Sequence, residues 1–432
     1  MTILIFVILI EGIDLIRNKN KIYPGVSALG VSLEGLTREE AEIVLKPVTE
    51  KLVDSPRVFI FEDKKIRIIP NDRIDAFIDL TKVVERAYGI CRSENIISRL
   101  QKRISSRRKG YNTPYEVELN EQKLDDLLNK INLAISRSPS KAKIENNRII
   151  ESKTGIKLDK KKFKRDLIES LYCLDDSKYS FEIAVDVVTP NPSTKDILSK
   201  LCIENDLASY STSFEGKENN TIYNINLSAK AINGILVKPQ ETFSFNKYVG
   251  PAEREDGYKE STIIANGKFR KGYGGGVCQV SSTLYNALIL GNFKIVQRYN
   301  HSVYGDATKY VPLGRDSGIF YGYKDLKFKN SYNHDIVIFA KAIEDEIRVN
   351  ILGEDENTAE IEIISKDKKV INYEIIREKD SNLGKGQEFV AQEGVNGYEI
   401  KTFRVVRQNG EEKIELLDSD VYKSVPMIIR EN

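Results

Sequence analysis

Histidine is nearly missing from this 432-residue chain: only His301 and His334 occur. Cysteine is also scarce, with Cys91, Cys173, Cys202 and Cys278 spread apart and none in a CxxC pair. A zinc site needs clustered Cys, His or carboxylate ligands, so no metal site is expected, and no cofactor. Charge imbalance is lacking too. Sixty-six basic residues face 64 acidic ones, a net charge of +2. Such a balance creates no field to gather nucleic acid, and clusters such as Arg103 to Lys109 read as solvated surface.

Long apolar runs are the fourth absence. The strongest is Thr2 to Ile10, interrupted by Glu11 and Asp14. A spanning helix needs about 20 apolar residues. No basic residues precede the run, while Arg17, Lys19 and Lys21 follow it. Three readings stay open: the distal half of an anchor that starts upstream of Met1, an unusually short anchor, or a core element. The first fits the rest of the chain best, so residues 1–22 are expected to be a partial membrane anchor.

What is present is enough apolar content, 41%, to exclude a disordered chain, and enough length for about three domains. Leu36 to Val48 carries a capping-box pattern, Thr37 to Glu40, ahead of helical spacing. Arg57 to Phe61 and Lys65 to Ile69 form a predicted hairpin, and Ala76 to Tyr88 a second helix. The order then recurs: helix over Glu118 to Ile135, hairpin over Lys141 to Ile150, helix over Asp159 to Cys173, strand over Phe181 to Val188. This predicts two copies of one α+β module, 25–112 and 113–195. From about Leu207 to Ala342 the texture turns to short strands, glycines and aromatics, and a further α+β domain is expected over residues 220–342. Residues 356–432 read as a small all-β module, with strands at Ala359 to Ile364, Val370 to Ile376, Gln387 to Ala391, Lys401 to Gln408 and Glu412 to Leu417. The fold class is thus α+β and multidomain. Cys91, Cys173 and Cys202 are expected to be small core residues.

The most distinctive stretch is KGYGGGVCQVSSTLYNALILG, Lys271 to Gly291. Glycines crowd before Cys278, allowing positive φ and close backbone approach. After it, Val280, Leu284, Ala287 and Leu288 make one helical stripe, and Gly291 is placed to stop the helix. Cys278 therefore belongs at a helix N-terminus, where the unpaired amides and the dipole favour a thiolate and could bind an oxyanion. The alternative is a packed cysteine whose glycines serve only the turn. A thiol nucleophile needs an imidazole partner. His301, in the polar loop Arg298 to Gly318, is preferred over His334, which precedes a strand. Asp306 or Asp316 could orient it, and spacing does not choose between them. Arg315 could pair with a substrate carboxylate. Tyr273, Gly275, Gly276, Gln279 and Ser281 complete the candidate substrate contacts.

The block Glu241 to Ala287, with its GGGVCQVSSTLYNA core, resembles the VanW family, and NHSVYG, GRDSG and FKN at Asn300, Gly314 and Phe328 fit it as well. One departure is Gln240, where the family usually has Gly. The two repeated modules look like the peptidoglycan-binding domains that often precede a VanW domain. Gly384 to Lys413 resembles a G5 domain, a β module of bacterial surface proteins. The resemblance implies a cell-surface protein of Gram-positive type, with peptidoglycan stem peptides and glycan as partners. It further implies an L,D-transpeptidase with Cys278 as nucleophile. A cysteine carboxypeptidase or endopeptidase and a non-catalytic wall-binding scaffold are the alternatives. Nothing in the sequence bears on oligomeric state.

Overall fold

The computed structural model describes residues 12, 16–92, 95–265, 268–305, 308–354 and 359–432. Residues 1–11 and 13–15 of the expected anchor lie outside them. Among the described residues no helix is long and apolar enough to cross a membrane. The chain divides into two compact units, residues 1–140 with 154–189, and residues 141–153 with 190–432.

In the first unit the helix Arg38–Asp54 starts where the capping box predicts. Thr37 Oγ1 accepts from the Glu40 amide at 3.2 Å, and Glu40 Oε2 accepts from the Thr37 amide at 2.8 Å. Arg57–Phe61 pairs antiparallel with Lys64–Ile68, as expected, but also parallel with Ser180–Glu182. Val26–Ala28 pairs with Tyr111–Thr113. One core cluster joins Phe59 and Ile68 to Leu124, Leu128, Phe163 and Leu167. Strands and core therefore cross the expected boundary between residues 112 and 113. The helix–hairpin–helix order does recur, yet the second hairpin lies in the other unit. A two-stranded hairpin is marginal alone, and each finds its further partner outside its own repeat.

The second unit is built on a six-stranded antiparallel sheet. Its strands are β1 (Lys143–Glu145), β2 (Arg148–Ile150), β3 (Asn205–Ser213), β4 (Ile235–Val237), β5 (Ile336–Ile343) and β6 (Glu346–Gly353), in the order β3-β6-β5-β4-β2-β1. The sheet extends past the expected 220–342 on both sides. Helices α1 (Asn219–Ile232) and α2 (Val277–Leu290) share one apolar cluster with it, including Ile225, Val280, Leu284, Leu288, Ile338 and Val349.

The C-terminal module follows, with β7 (Glu360–Ile371), β8 (Gly397–Gln408) and β9 (Glu411–Tyr422) in that order. A second three-stranded sheet comprises Ile375–Lys379, Met427–Glu431 and Glu388–Gln392. The expected strand Val370 to Ile376 is split: β7 stops at Ile371, and a new strand in the other sheet begins at Ile375. Cys202, expected in a core, is exposed; Cys91 is buried and Cys173 half-buried, and all four cysteines are free thiols.

Candidate functional site

A hairpin of Glu260–Ala265 and Lys268–Tyr273 delivers the chain to the glycine turn before α2. Gly276 caps the helix with φ +104°. A Cβ there would lie 2.8 Å from Ile225 Cγ1 and 3.0 Å from the Thr221 carbonyl oxygen; one on Gly275 would lie 2.3 Å from Ser261 Oγ. Both glycines thus let the turn press against α1 and the hairpin. Cys278 is the second residue of α2 and is partly exposed. The neighbouring amides of Val277 and Gln279 are occupied by the carbonyls of Gly274 (3.1 Å) and Gly276 (3.0 Å). The helix end therefore acts on the thiol through its dipole, not through those two N–H groups. A different amide reaches the sulfur: Ile319 N–H donates to Cys278 Sγ at 3.4 Å.

The polar residues of α2 are buried: Gln279 ties the helix to β3, while Ser281, Ser282 and Asn286 build the loop that carries Ile319. Gln279 Nε2 donates to Thr212 Oγ1 (3.0 Å) and the Ser213 carbonyl (2.8 Å). Ser281 Oγ donates to the Ser317 carbonyl at 2.7 Å, and Ser282 Oγ accepts from the Ser317 amide at 2.8 Å. Asn286 Nδ2 donates to the Arg315 carbonyl (2.8 Å), while Arg315 Nε donates to Asn286 Oδ1 (2.6 Å). Gln279 and Ser281, at 1% and 0% exposure, are framework and out of a substrate's reach. Arg315 is held by Asn286 and by the ring of Tyr210, 5.4 Å away. Tyr273 stays exposed where the hairpin meets the glycine turn.

Residues 315–319 also place Asp316, fully buried, beneath His301. Asp316 Oδ2 accepts from the His301 amide at 2.7 Å and lies 2.5 Å from His301 Nδ1. That leaves Nε2 as the ring nitrogen that can serve the Cys278 thiol, with which His301 interacts electrostatically. Burial alone would disfavour the imidazolium. The hydrogen bond to Asp316 and the bond and charge of Cys278 outweigh it, and the His301 pKa rises to about 10. Burial likewise works against the thiolate, but His301 and the Ile319 N–H outweigh it, so the Cys278 thiol is lowered. Asp316 is held well below the usual carboxylate range: burial opposes its charge, but His301, Arg298 and Tyr422 favour it more strongly. The arrangement is a thiol and an imidazole whose charged forms favour each other, with a carboxylate on the other ring nitrogen.

Of the two candidate aspartates, Asp316 occupies the orienting position, and Asp306 lies outside the described residues. His334 is elsewhere, its ring tilted against Tyr332 at 5.0 Å, with Nδ1 accepting from the Glu354 amide at 3.3 Å. Sequence reasoning missed four members. Tyr310 is close enough to feel the thiol's charge; burial first, then that charge, raises its pKa and keeps it a neutral phenol. Arg298 Nη2 sits 3.2 Å from Asp316 Oδ1, and its Nη1 lies 2.5 Å from Asp420 Oδ1. Tyr422 donates its hydroxyl to Asp316 Oδ1 at 2.5 Å. Arg298, three residues before His301, was open to notice; Asp420 and Tyr422 lie in another module. Among the described residues no group of three or more metal-ligating side chains occurs.

Comparison with known proteins agrees with this layout. A family described as "VanW like protein" matches residues 220–352, one described as "Putative peptidoglycan binding domain" matches 68–178, and one described as "G5 domain" matches 362–431. The uncharacterized protein YoaR of Bacillus subtilis is 34% identical over 259 residues, spanning 60% of this chain and 83% of that protein. The vancomycin B-type resistance protein VanW of Enterococcus faecalis is 37% identical over 138 residues, 31% of this chain and 50% of that one. The crystal structure of HP0197-G5 matches over 17% of this chain and 97% of its own, at 17% identity and a TM-score of 0.12.

Proposed function

The chain belongs to the VanW family, and from that premise we propose that it is a peptidoglycan L,D-transpeptidase that joins two stem peptides, third residue to third residue, through a thioester on Cys278. Its VanW-like, peptidoglycan-binding and G5 domains make it a cell-wall-associated protein. The observation that carries the finer reading is His301, held by the buried Asp316 and electrostatically coupled to Cys278, a residue that is itself partly exposed.

The Cys278 thiolate attacks the carbonyl carbon of the third stem residue. The His301 imidazolium gives its proton to the leaving amine of the terminal D-alanine, and a thioester remains. A side-chain amine of a second stem then attacks. His301, now neutral, takes the proton from that amine, and Cys278 leaves as thiolate as the new amide forms. Asp316 keeps the ring in one tautomer and balances its charge in each half-reaction. Attachment to the membrane through residues 1–22 belongs to the same proposal.

The test is incubation of the protein and of Cys278→Ala with tetrapeptide muropeptides, followed by mass spectrometry. Cross-linked dimers from the unmodified protein alone are expected. Trimmed monomers would replace transfer by hydrolysis, and silence from both proteins would leave a wall-binding scaffold.

A further inference from the structure

Strand alternation puts Asp418, Asp420 and Tyr422 on one face of β9, and Tyr398, Ile400 and Thr402 on the same face of the paired β8. That face lies against the loop that carries His301 and Asp316. Thr402 Oγ1 donates to the Gly314 carbonyl at 3.2 Å, and the Gly314 amide donates to Tyr422 Oη at 3.2 Å. Asn300 Nδ2 donates to the Val421 carbonyl at 2.9 Å, and the Lys423 amide to the Ser302 carbonyl at 2.7 Å. Tyr422 is fully buried, so its hydroxyl has no water to exchange with.

We infer that the C-terminal module is a working part of the Cys278 centre, and that Tyr422 is its positioning residue, holding Asp316 in line with His301. The hydroxyl bridges the two ends of Gly314 to Asp316: it accepts from the Gly314 amide and donates to the Asp316 carboxylate. Arg298 adds a second tie, since one guanidinium nitrogen faces Asp316 and another faces Asp418 (3.1 Å) and Asp420. Removing the module would leave Arg298 and Asp316 as buried charges without these partners, an unfavourable state. The docking is thus sensed at the carboxylate that orients the imidazole.

The other groups facing this point are few. Tyr285 of α2 lies under Arg298, its ring 5.2 Å from the guanidinium carbon. Tyr304 packs edge-on to Tyr422 at 5.6 Å, and Tyr398 to Tyr304 at 6.2 Å. Burial pushes Asp420 up to about 6 despite Arg298, and pushes Tyr422 upward as well, so that the phenol stays a donor.

The inference rests on the Cys278–His301 pair of the proposed function, but its test reads ionisation, not cross-linking, so each can fail alone. The whole chain is treated with iodoacetamide across a range of pH, and modification of the Cys278 peptide is timed by mass spectrometry. Tyr422→Phe keeps the ring and removes the bridge. Its acid limb is expected to move up by about one pH unit, an approximately tenfold slower reaction on that limb. Tyr398→Phe, on the same docking face without a bond to Asp316, should keep the unmodified profile. If Tyr422→Phe folds too poorly to compare, Asp420→Asn tests the tie through Arg298 and should shift the limb the same way by less. An unmoved limb in the folded variant, a move to lower pH, or an equal shift in Tyr398→Phe would overturn the inference.

Discussion

The VanW-like region and the C-terminal module are both rich in strands, but they are held together by opposite means. The first encloses a dry interior: Val280, Leu284, Leu288, Phe293, Phe328 and Ile338 are all inaccessible to solvent. The second has long strands and little interior. None of the residues of β7 is buried, and the buried residues of β8 and β9 include Thr402, Arg404, Asp420 and Tyr422. Its outer face is laced with ion pairs, such as Arg407 with Glu362 and Glu412, and Arg377 with Glu388. The module thus places its buried polar groups at the border with its neighbour. Where a fold cannot bury much apolar surface, docking supplies the burial, and the docked face becomes chemically informative.

The sharpest way to break that contrast is at Arg298, which belongs to one region and is neutralised by both. Arg298→Met should strand Asp420 without its counter-charge, leave Asp316 to His301 alone, and cost about 3–5 kcal/mol. Urea denaturation would register it as a lowered midpoint, and an unchanged midpoint would mean that the border is not load-sharing. Next in size is Gly276→Ala. The φ of +104° and the 2.8 Å approach to Ile225 make this position strained for any side chain. A loss of about 1–3 kcal/mol is expected, with slower Cys278 alkylation, read by thermal melting and thiol labelling.

The pH dependence separates the regions again. The folded His301 pKa is raised to about 10, above its unfolded value near 6.5. Its stabilising contribution is therefore complete below the unfolded value and fades as pH rises through about 10. The lowered Asp316 works in the other direction: its contribution is present above the ordinary carboxylate range and is lost in strong acid. Cys278→Ala removes the thiolate that helps hold the imidazolium, so the alkaline decline should begin at lower pH in that variant. Denaturation midpoints across pH would show this, and superimposable curves would contradict the ion pair. The smallest effect belongs to Arg407→Ala on the solvated face of the module, where exposed ion pairs contribute little. Neither the melting curve nor Cys278 labelling should change noticeably.

Much of the thiol centre was legible in the sequence because local rules govern it. Glycines before Cys278 and Gly291 after the apolar stripe bracket α2, which spans Val277–Leu290 with Gly291 as its C-cap. A polar loop with one of only two histidines pointed to His301. Spacing could not select Asp316, since selection depends on how Ser281, Ser282 and Asn286 pull residues 315–319 alongside the helix. Of those side chains only Ser281 carried an expectation, that of a substrate contact. Periodicity reveals where apolar groups gather but not which buried polar groups answer one another. Tyr422 was beyond reach for a further reason: it lies 106 residues from Asp316, in a strand whose pattern speaks only of its own sheet. The parity of Asp418, Asp420 and Tyr422 was visible, but an alternation of acids and tyrosine usually marks a wet face.

Helix α2 is enclosed on every side. From Val277 to Ile289 each side chain is buried apart from Cys278. Such a rod has one window. Exchange at any other position asks neighbouring walls to rearrange, whereas exchange at 278 alters only what faces the opening. Lineages built on this frame can thus gain, lose or swap reactivity by a single codon while the architecture around it endures.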